Sequence, residues 1–333
     1  MPNGEDYRKF KPKGFDEAHS QKIHPMKEKN FTTPIAYLFY ARPKCMEITF
    51  PLIRKLRPRN LYLIADGPKG SNDNQFCARA RKFVEDSIDW DCQLTRFYSE
   101  KNMGLADRTV SGLNAVFERE EKVILLEDDN LADPSFFNFC DVLLERYKHE
   151  DRIFHIGGCN FFEKAVPHRI KEDYLFSAKP AAWGFATWKR AWKHMDLKME
   201  NWSSESKESF LRKWCVSRRH ANAIREVFDQ HCMNKDPWAW SYAWTYACWA
   251  NNALSIIPKV NLVSNIGFGP DATNTTMSEN NWTGIPENRG KLEEFGHPDS
   301  ISRDLAYDKK SYYIERGTPI RRFKQFIKDI LKR

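Results

Sequence analysis

KVILLEDDN, residues 122–130, is the stretch on which the fold turns. Val123, Ile124, Leu125 and Leu126 form a short apolar, partly β-branched run, which predicts a buried strand. That strand ends in three consecutive acids, Glu127, Asp128 and Asp129. Adjacent carboxylates repel one another, so a fold that sets them at the mouth of a buried strand must supply positive charge. A divalent cation, its shell completed by diphosphate oxygens, meets that demand. An acidic turn before a helix is the plainer alternative, because Asp133-Pro134 makes a good N-cap and N1 pair.

Upstream, residues 34–40 (PIAYLFY) predict a first strand, which runs into Ala41-Arg42-Pro43. Residues 44–56 look helical in part, with Pro51 expected to kink or interrupt that helix. A second strand over 60–65 (NLYLIA) closes on Asp66-Gly67-Pro68. An Asp at the carboxyl end of a strand can face the crevice where α/β sheets bind ligands, although Asp-Gly-Pro is also an ordinary turn. A charged helix over about 74–88 and a strand over 92–98 follow. Asn102-Met103-Gly104 then leads into a helix over about 105–120, with Gly104 permitting close approach of the chain to a ligand. This alternation predicts an α/β fold with a mostly parallel central sheet, helices on both faces and the ligand at the carboxyl ends of the strands.

Downstream, residues 134–148 carry an apolar helical face of Phe136, Phe137, Cys140, Leu143, Leu144 and Tyr147. Residues 152–158 predict another strand. The composition then shifts, because ten of the eleven tryptophans lie between Trp183 and Trp282. Most Trp side chains pack in cores, so two or three of these are expected to touch ligand, with the Trp183-Gly184 segment first among them. Residues 205–234 predict two charged helices. Asp236 precedes Pro237 and a Trp-rich helix that runs to about residue 252. That is a position favoured by the helix dipole and suited equally to a plain N-cap. Short strands are expected over 254–258 and 260–264, and a polar Gly-bearing loop over 265–275 suits a lid or an ordinary surface loop. Residues 320–333 (IRRFKQFIKDILKR) set Ile320, Phe323, Phe326, Ile327, Ile330 and Leu331 on one helical stripe with bases opposite. That composition fits a helix on an anionic membrane surface, or one docked on the body.

Together these motifs resemble the nucleotide-sugar glycosyltransferases of the GT-A fold, over roughly residues 34–275. The resemblance is to the branch containing N-acetylglucosaminyltransferase I and its bacterial relatives in polysaccharide synthesis, where the metal motif is written Glu-Asp-Asp. It implies that Arg42 approaches the nucleotide diphosphate, that Asp66 accepts the N3–H of a uracil base, and that Asn102 and Gly104 lie near the nucleotide. It further implies that Glu127 and Asp128 contact ribose or sugar, that Asp129 binds Mn²⁺ or Mg²⁺, and that Trp183 and Gly184 stand beside the donor sugar. The catalytic base falls to Asp236. Several relatives carry Asp directly after a Trp in this segment, where this chain has Ser241 after Trp240.

The resulting expectation is a metal-dependent, inverting transfer of a sugar from a UDP-sugar to an acceptor hydroxyl, on a saccharide or lipid-linked saccharide in cell-surface glycan synthesis. A nucleotidyltransferase that makes a nucleotide sugar shares the sheet and the metal, but 41–44 lacks the glycines of its usual loop. A non-catalytic sugar-binding protein on a degenerate transferase scaffold is the other alternative. The chain has 333 residues with 53 Lys and Arg against 45 Asp and Glu. The last fourteen residues are net +5 and the first thirty net +2, so the body of the chain has no nucleic-acid footprint. No 18-residue apolar run and no signal-type apolar segment is present. Eight cysteines without CxxC spacing read as thiols of a reducing compartment, and a cytoplasmic protein, peripheral on the membrane through its tail, is expected. The organisation expected is a polar lead-in (1–30), a nucleotide-sugar half (31–160), a sugar and acceptor half (161–277), a polar linker (278–319) and the basic helix (320–333).

Overall fold

The computed structural model describes residues 31–162, 172–203, 206–233, 239–267 and 296–315. The chain opens with β1 (Ile35–Phe39), α1 (Pro43–Leu56), β2 (Asn60–Ala65), α2 (Ser71–Asp86), β3 (Gln93–Tyr98), α3 (Leu105–Phe117) and β4 (Lys122–Glu127). It continues with β5 (Asn130–Ala132), α4 (Pro134–Arg146), β6 (Ile153–Gly157), β7 (Tyr174–Ser177), β8 (Phe185–Trp188) and α5 (Lys189–Trp192). The remaining elements are α6 (Lys207–Trp214), α7 (Arg218–Met233), α8 (Trp240–Ala250), β9 (Leu254–Pro258), β10 (Val263–Asn265) and α9 (Leu305–Glu315).

Eight strands form one sheet in the order β3-β2-β1-β4-β8-β6-β9-β7. Pairings among β3, β2, β1 and β4 are parallel, as is β6 with β9, whereas β8 runs antiparallel to both β4 and β6 and β7 antiparallel to β9. The mostly parallel α/β expectation therefore holds. The central strands β1, β2, β4 and β6 are buried almost end to end, as their Ile, Leu, Val and Phe content demands of strands covered on both faces. Helix α3 packs on β1, β2 and α8, while α4 packs on β4, β6 and β8.

From β1 the chain steps outward to β2 and β3, and α3 then carries it back to β4 on the other side of β1. The order thus reverses between β1 and β4, and the carboxyl ends of strands at such a reversal are where open α/β sheets bind ligands. Leu38 of β1 pairs with Glu127 of β4, so the segment after Phe39 and the acids after Leu126 emerge side by side.

Two expectations are corrected, and the surroundings of a third segment are defined. Pro51 does not interrupt α1, which runs unbroken through it. Pro51 and Glu47, whose carbonyl would have accepted the missing bond, are both exposed, so the helix loses this bond on its solvent side. The segment that includes Trp183 and Gly184 leads into β8, whose four residues are all buried. Part of the stretch read as polar linker is α9, tied down by Asp308, which accepts from Ser177 Oγ at 2.6 Å, the Ala178 amide at 3.2 Å and Arg303 Nε at 2.6 Å. The Trp-rich helix begins at Trp240 with Ala239 as its N-cap, and Asp236 lies outside the described residues. So does the basic tail 320–333.

Seven tryptophans of the second half, Trp188, Trp192, Trp202, Trp214, Trp240, Trp244 and Trp249, are buried. Trp192 and Trp244 lie 4.9 Å apart between ring centres, and Trp214 stacks on Trp249 at 5.7 Å. Core packing is therefore their main work. No disulfide links the eight cysteines, and no helix among the described residues is long and apolar enough to cross a membrane.

Candidate functional site at the carboxyl edge of the sheet

Arg42 follows β1 directly and is the N-cap residue of α1. Its guanidinium grips Asp128 through Nη2 and Nε, and Nη1 donates to Asp129 Oδ2 at 2.9 Å. Asp128, almost fully buried, also accepts the Tyr40 amide at 3.2 Å. The positive charge that the acids require is thus supplied from within the chain. Burial works against the charge of Arg42, but the fields of Asp128 and Asp129 outweigh it and raise its pKa. Burial pushes Asp128 up to about 6, with Arg42 pulling the other way. Glu127, half-buried beside them, is pushed up to about 8 by burial and by the charge of Asp129.

Two further segments close on this pair. Asn130 Nδ2 donates to Asp129 Oδ1 at 2.8 Å, and Asn130 Oδ1 accepts from the amides of Glu127 and Gly184 at 3.2 and 2.8 Å. Gly184 adopts φ +57, and a Cβ there would stand 2.8 Å from Val263, so glycine is needed on both counts. Trp183 is half-buried and meets Phe161 edge-on at 4.9 Å. The β5–β10 ribbon pairs Asn130 with Asn265, and the Ile266 amide donates to the Asp129 carbonyl at 2.9 Å. Gly267 lies directly on the ion pair, because a Cβ there would be 2.3 Å from Asp129 Oδ2 and 2.8 Å from Arg42 Nη1. The loop expected over 265–275 therefore starts on the acids, and its continuation from 268 lies outside the described residues.

Asp66, Asn102 and Gly104 form a second cluster on the same edge, at the ends of β2 and β3. Asp66 Oδ1 accepts the amides of Gly67 and Met103 at 2.8 and 2.9 Å. Its Oδ2 accepts Asn102 Nδ2 and the Gly104 amide at 2.9 and 3.0 Å. The carboxylate clips two loops together, and its four lone-pair positions are taken. A base N–H reaching Asp66 would have to replace one of these donors.

Among the described residues no three carboxylate, His or Cys groups converge on a metal-sized space. Both carboxylate oxygens of Asp129 are taken within the chain, Oδ2 by Arg42 Nη1 and Oδ1 by Asn130 Nδ2, so a divalent cation there would have to displace one of these donors. Of the residues named from sequence, Arg42, Glu127, Asp128, Asp129 and Gly184 come together with Trp183 alongside, and Asp66, Asn102 and Gly104 come together beside them. Sequence reasoning gave no role to Tyr40, Asn130 or Arg108. Asn130 had a visible signal as the polar residue directly after the acids, whereas Tyr40 acts through its backbone amide, which no sequence pattern marks.

No family model matches this chain, and no curated protein matches it. Among solved structures, it is similar to 4-diphosphocytidyl-2C-methyl-D-erythritol synthase from Anaerococcus prevotii, with a TM-score of 0.31 and 12% identity, over 59% of this chain and 83% of that one. At that score the likeness assigns neither fold nor chemistry to this chain.

Proposed function

We propose that this chain is a transferase acting on a substrate linked to a nucleoside diphosphate, and specifically a GT-A type glycosyltransferase that uses a UDP-sugar. The observation that carries this is the Arg42–Asp128–Asp129 cluster at the β1/β4 reversal, with Gly184 and Gly267 closing on it. A guanidinium held by two carboxylates on a ligand-binding edge is a partner for diphosphate oxygens, which offer it the same bidentate geometry. Asp129, once released from Arg42, would hold Mn²⁺ or Mg²⁺. When bound, that cation neutralises charge developing on the leaving diphosphate. Arg42 would orient the diphosphate, and Glu127 and Asp128 would contact ribose or sugar hydroxyls. Trp183 offers a flat apolar face to the sugar ring, and the loop that starts at Gly267 excludes water. Asp236 is proposed as the base that takes the acceptor hydroxyl proton, and inversion follows from a single displacement. An acceptor carried on lipid and recruitment through 320–333 extend the same proposal.

The test is calorimetric titration of UDP with and without Mn²⁺, on the wild type and on Asp129→Ala. Binding in the micromolar range that depends on the cation and disappears in the variant is the expected result. Absence of any nucleoside diphosphate binding overturns the proposal. A nucleotidyltransferase on the same sheet is separated by product: it releases pyrophosphate from a nucleoside triphosphate and a sugar phosphate, whereas the glycosyltransferase releases UDP from a UDP-sugar.

A further inference from the structure

The half-buried guanidiniums of Arg42, Arg303, Arg190 and Arg81 all reach oxygen acceptors. Arg42 has Asp128 and Asp129, and Arg303 has Asp308 with the carbonyls of Lys213 and Trp214. Arg190 donates to the carbonyls of Lys148, Ile153 and Tyr147, and Arg81 to those of Asp66 and Ser99. Arg108, on the first turns of α3, is different. It is 8% exposed, its Nε has no partner, and among the described residues its one side-chain hydrogen bond runs from Nη1 to Met103 Sδ at 3.5 Å. A thioether is a weak acceptor, so the Arg108 guanidinium, with Nε buried and unpaired, is left without an oxygen partner from the described residues.

Met103 covers Arg108 and is itself 37% exposed, an apolar side chain lying out on the surface. Gly104, next in the chain, has φ +82, and a Cβ there would meet no atom within 4 Å, so open space adjoins the cover. Gly104 leaves the N-terminus of α3 without a side-chain cap. The charged group facing Arg108 is the Asp66 carboxylate, bound to the amides of Met103 and Gly104. A phosphate at this point would be repelled by Asp66, whereas a neutral carbonyl oxygen would not. A flat ring can lie over Gly104 where no side chain intervenes.

Resting on the donor-site reading above, we propose that Arg108 is a specificity residue that donates to a carbonyl oxygen of the donor nucleobase, with Met103 as the cover that the base displaces. Bases with exocyclic carbonyls, uracil among them, satisfy the guanidinium; adenine, which has none, leaves it on sulfur. The phosphates of the same ligand belong to Arg42 and are not read here.

Binding of UDP, ADP and inorganic pyrophosphate to the wild type, Arg108→Met and Met103→Ala tests this, with thermal unfolding of each protein alongside. The wild type is expected to prefer UDP over ADP, and Arg108→Met to lose about tenfold in UDP affinity while ADP and pyrophosphate are unchanged. Met103→Ala keeps the preference, and Arg108→Met melts no lower than the wild type, because it removes an unpaired buried charge. Should Arg108→Met fail to fold, the wild type itself decides, since 2-thio- or 4-thio-UDP must bind more weakly than UDP when sulfur replaces the recognised oxygen. Equal losses for UDP, ADP and pyrophosphate would make Arg108 a phosphate ligand and overturn the inference. Unchanged UDP binding in Arg108→Met overturns it while leaving the Asp129-dependent donor site intact; no nucleoside diphosphate binding to the wild type overturns both.

Discussion

Asp66 illustrates how much a single carboxylate can organise. Its sequence context, a strand end followed by Gly-Pro, fits a ligand contact and a turn equally well. In the fold it receives four N–H donors from Gly67, Asn102, Met103 and Gly104, which ties the β2 and β3 loops into one unit. Asp66→Asn would turn an NH₂ toward donors that need an acceptor, and a loss of about 2–4 kcal/mol in urea unfolding is expected. A loss under about 0.5 kcal/mol would mean that the carboxylate is not the clip. The acids themselves were legible from residue types alone, since three adjacent carboxylates demand a cation. Which cation answers first was not legible, because Arg42 is more than eighty positions upstream and only strand pairing brings it to Asp128.

Among the elements, α3 shows how close packing fixes the edge on which the site stands. Gly112 lies against β2, where a Cβ would be 2.5 Å from Ile64 Cγ2. Gly112→Ala should therefore overpack that contact and destabilise by about 1–3 kcal/mol, against the usual gain of Ala over Gly within a helix. An increase in stability on thermal unfolding would show that Ile64 can simply move aside. The parallel strands β1, β2 and β4 were readable because each is an apolar run bounded by turn residues. The reversed strand β8 was not, for its Phe-Ala-Thr-Trp sequence carries no mark of direction, and β5 has only three residues, whereas β10 overlaps the short strand expected over 260–264. Helix α9 was missed because its sequence has no amphipathic stripe, and its place is fixed instead by Asp308 and by Tyr307, which donates to Asn160 Oδ1 at 3.0 Å.

At the scale of the whole molecule, His155 is the buried joint between the sheet and the Trp-rich half. Its Nδ1 accepts from Trp244 Nε1 at 3.2 Å, so Nε2 carries the proton donated to the Ala181 carbonyl at 3.0 Å, and the ring stacks on Phe185 at 4.9 Å. Burial drives its pKa from an ordinary 6.5 down to about 3. The neutral ring is favoured in the fold, so its contribution is complete above pH 6.5 and is lost as pH falls from 6.5 toward 3. That loss amounts to about 1.4 kcal/mol per unit at most within the window. His155→Phe should be less stable at pH 7 yet show a flatter decline between pH 6.5 and 4 in urea unfolding. Parallel declines would place the acid sensitivity elsewhere. The sequence by itself determined the α/β alternation, the acid-tipped strand and the buried fate of most tryptophans, because apolar periodicity and side-chain volume are local properties. Only the tertiary structure decided that Arg42 neutralises the acids, that Asp66 is filled by loop amides, that Gly267 lies on the ion pair and that Arg108 is left with sulfur. These depend on which strand ends become neighbours, and strand order is set by the packing of the whole chain.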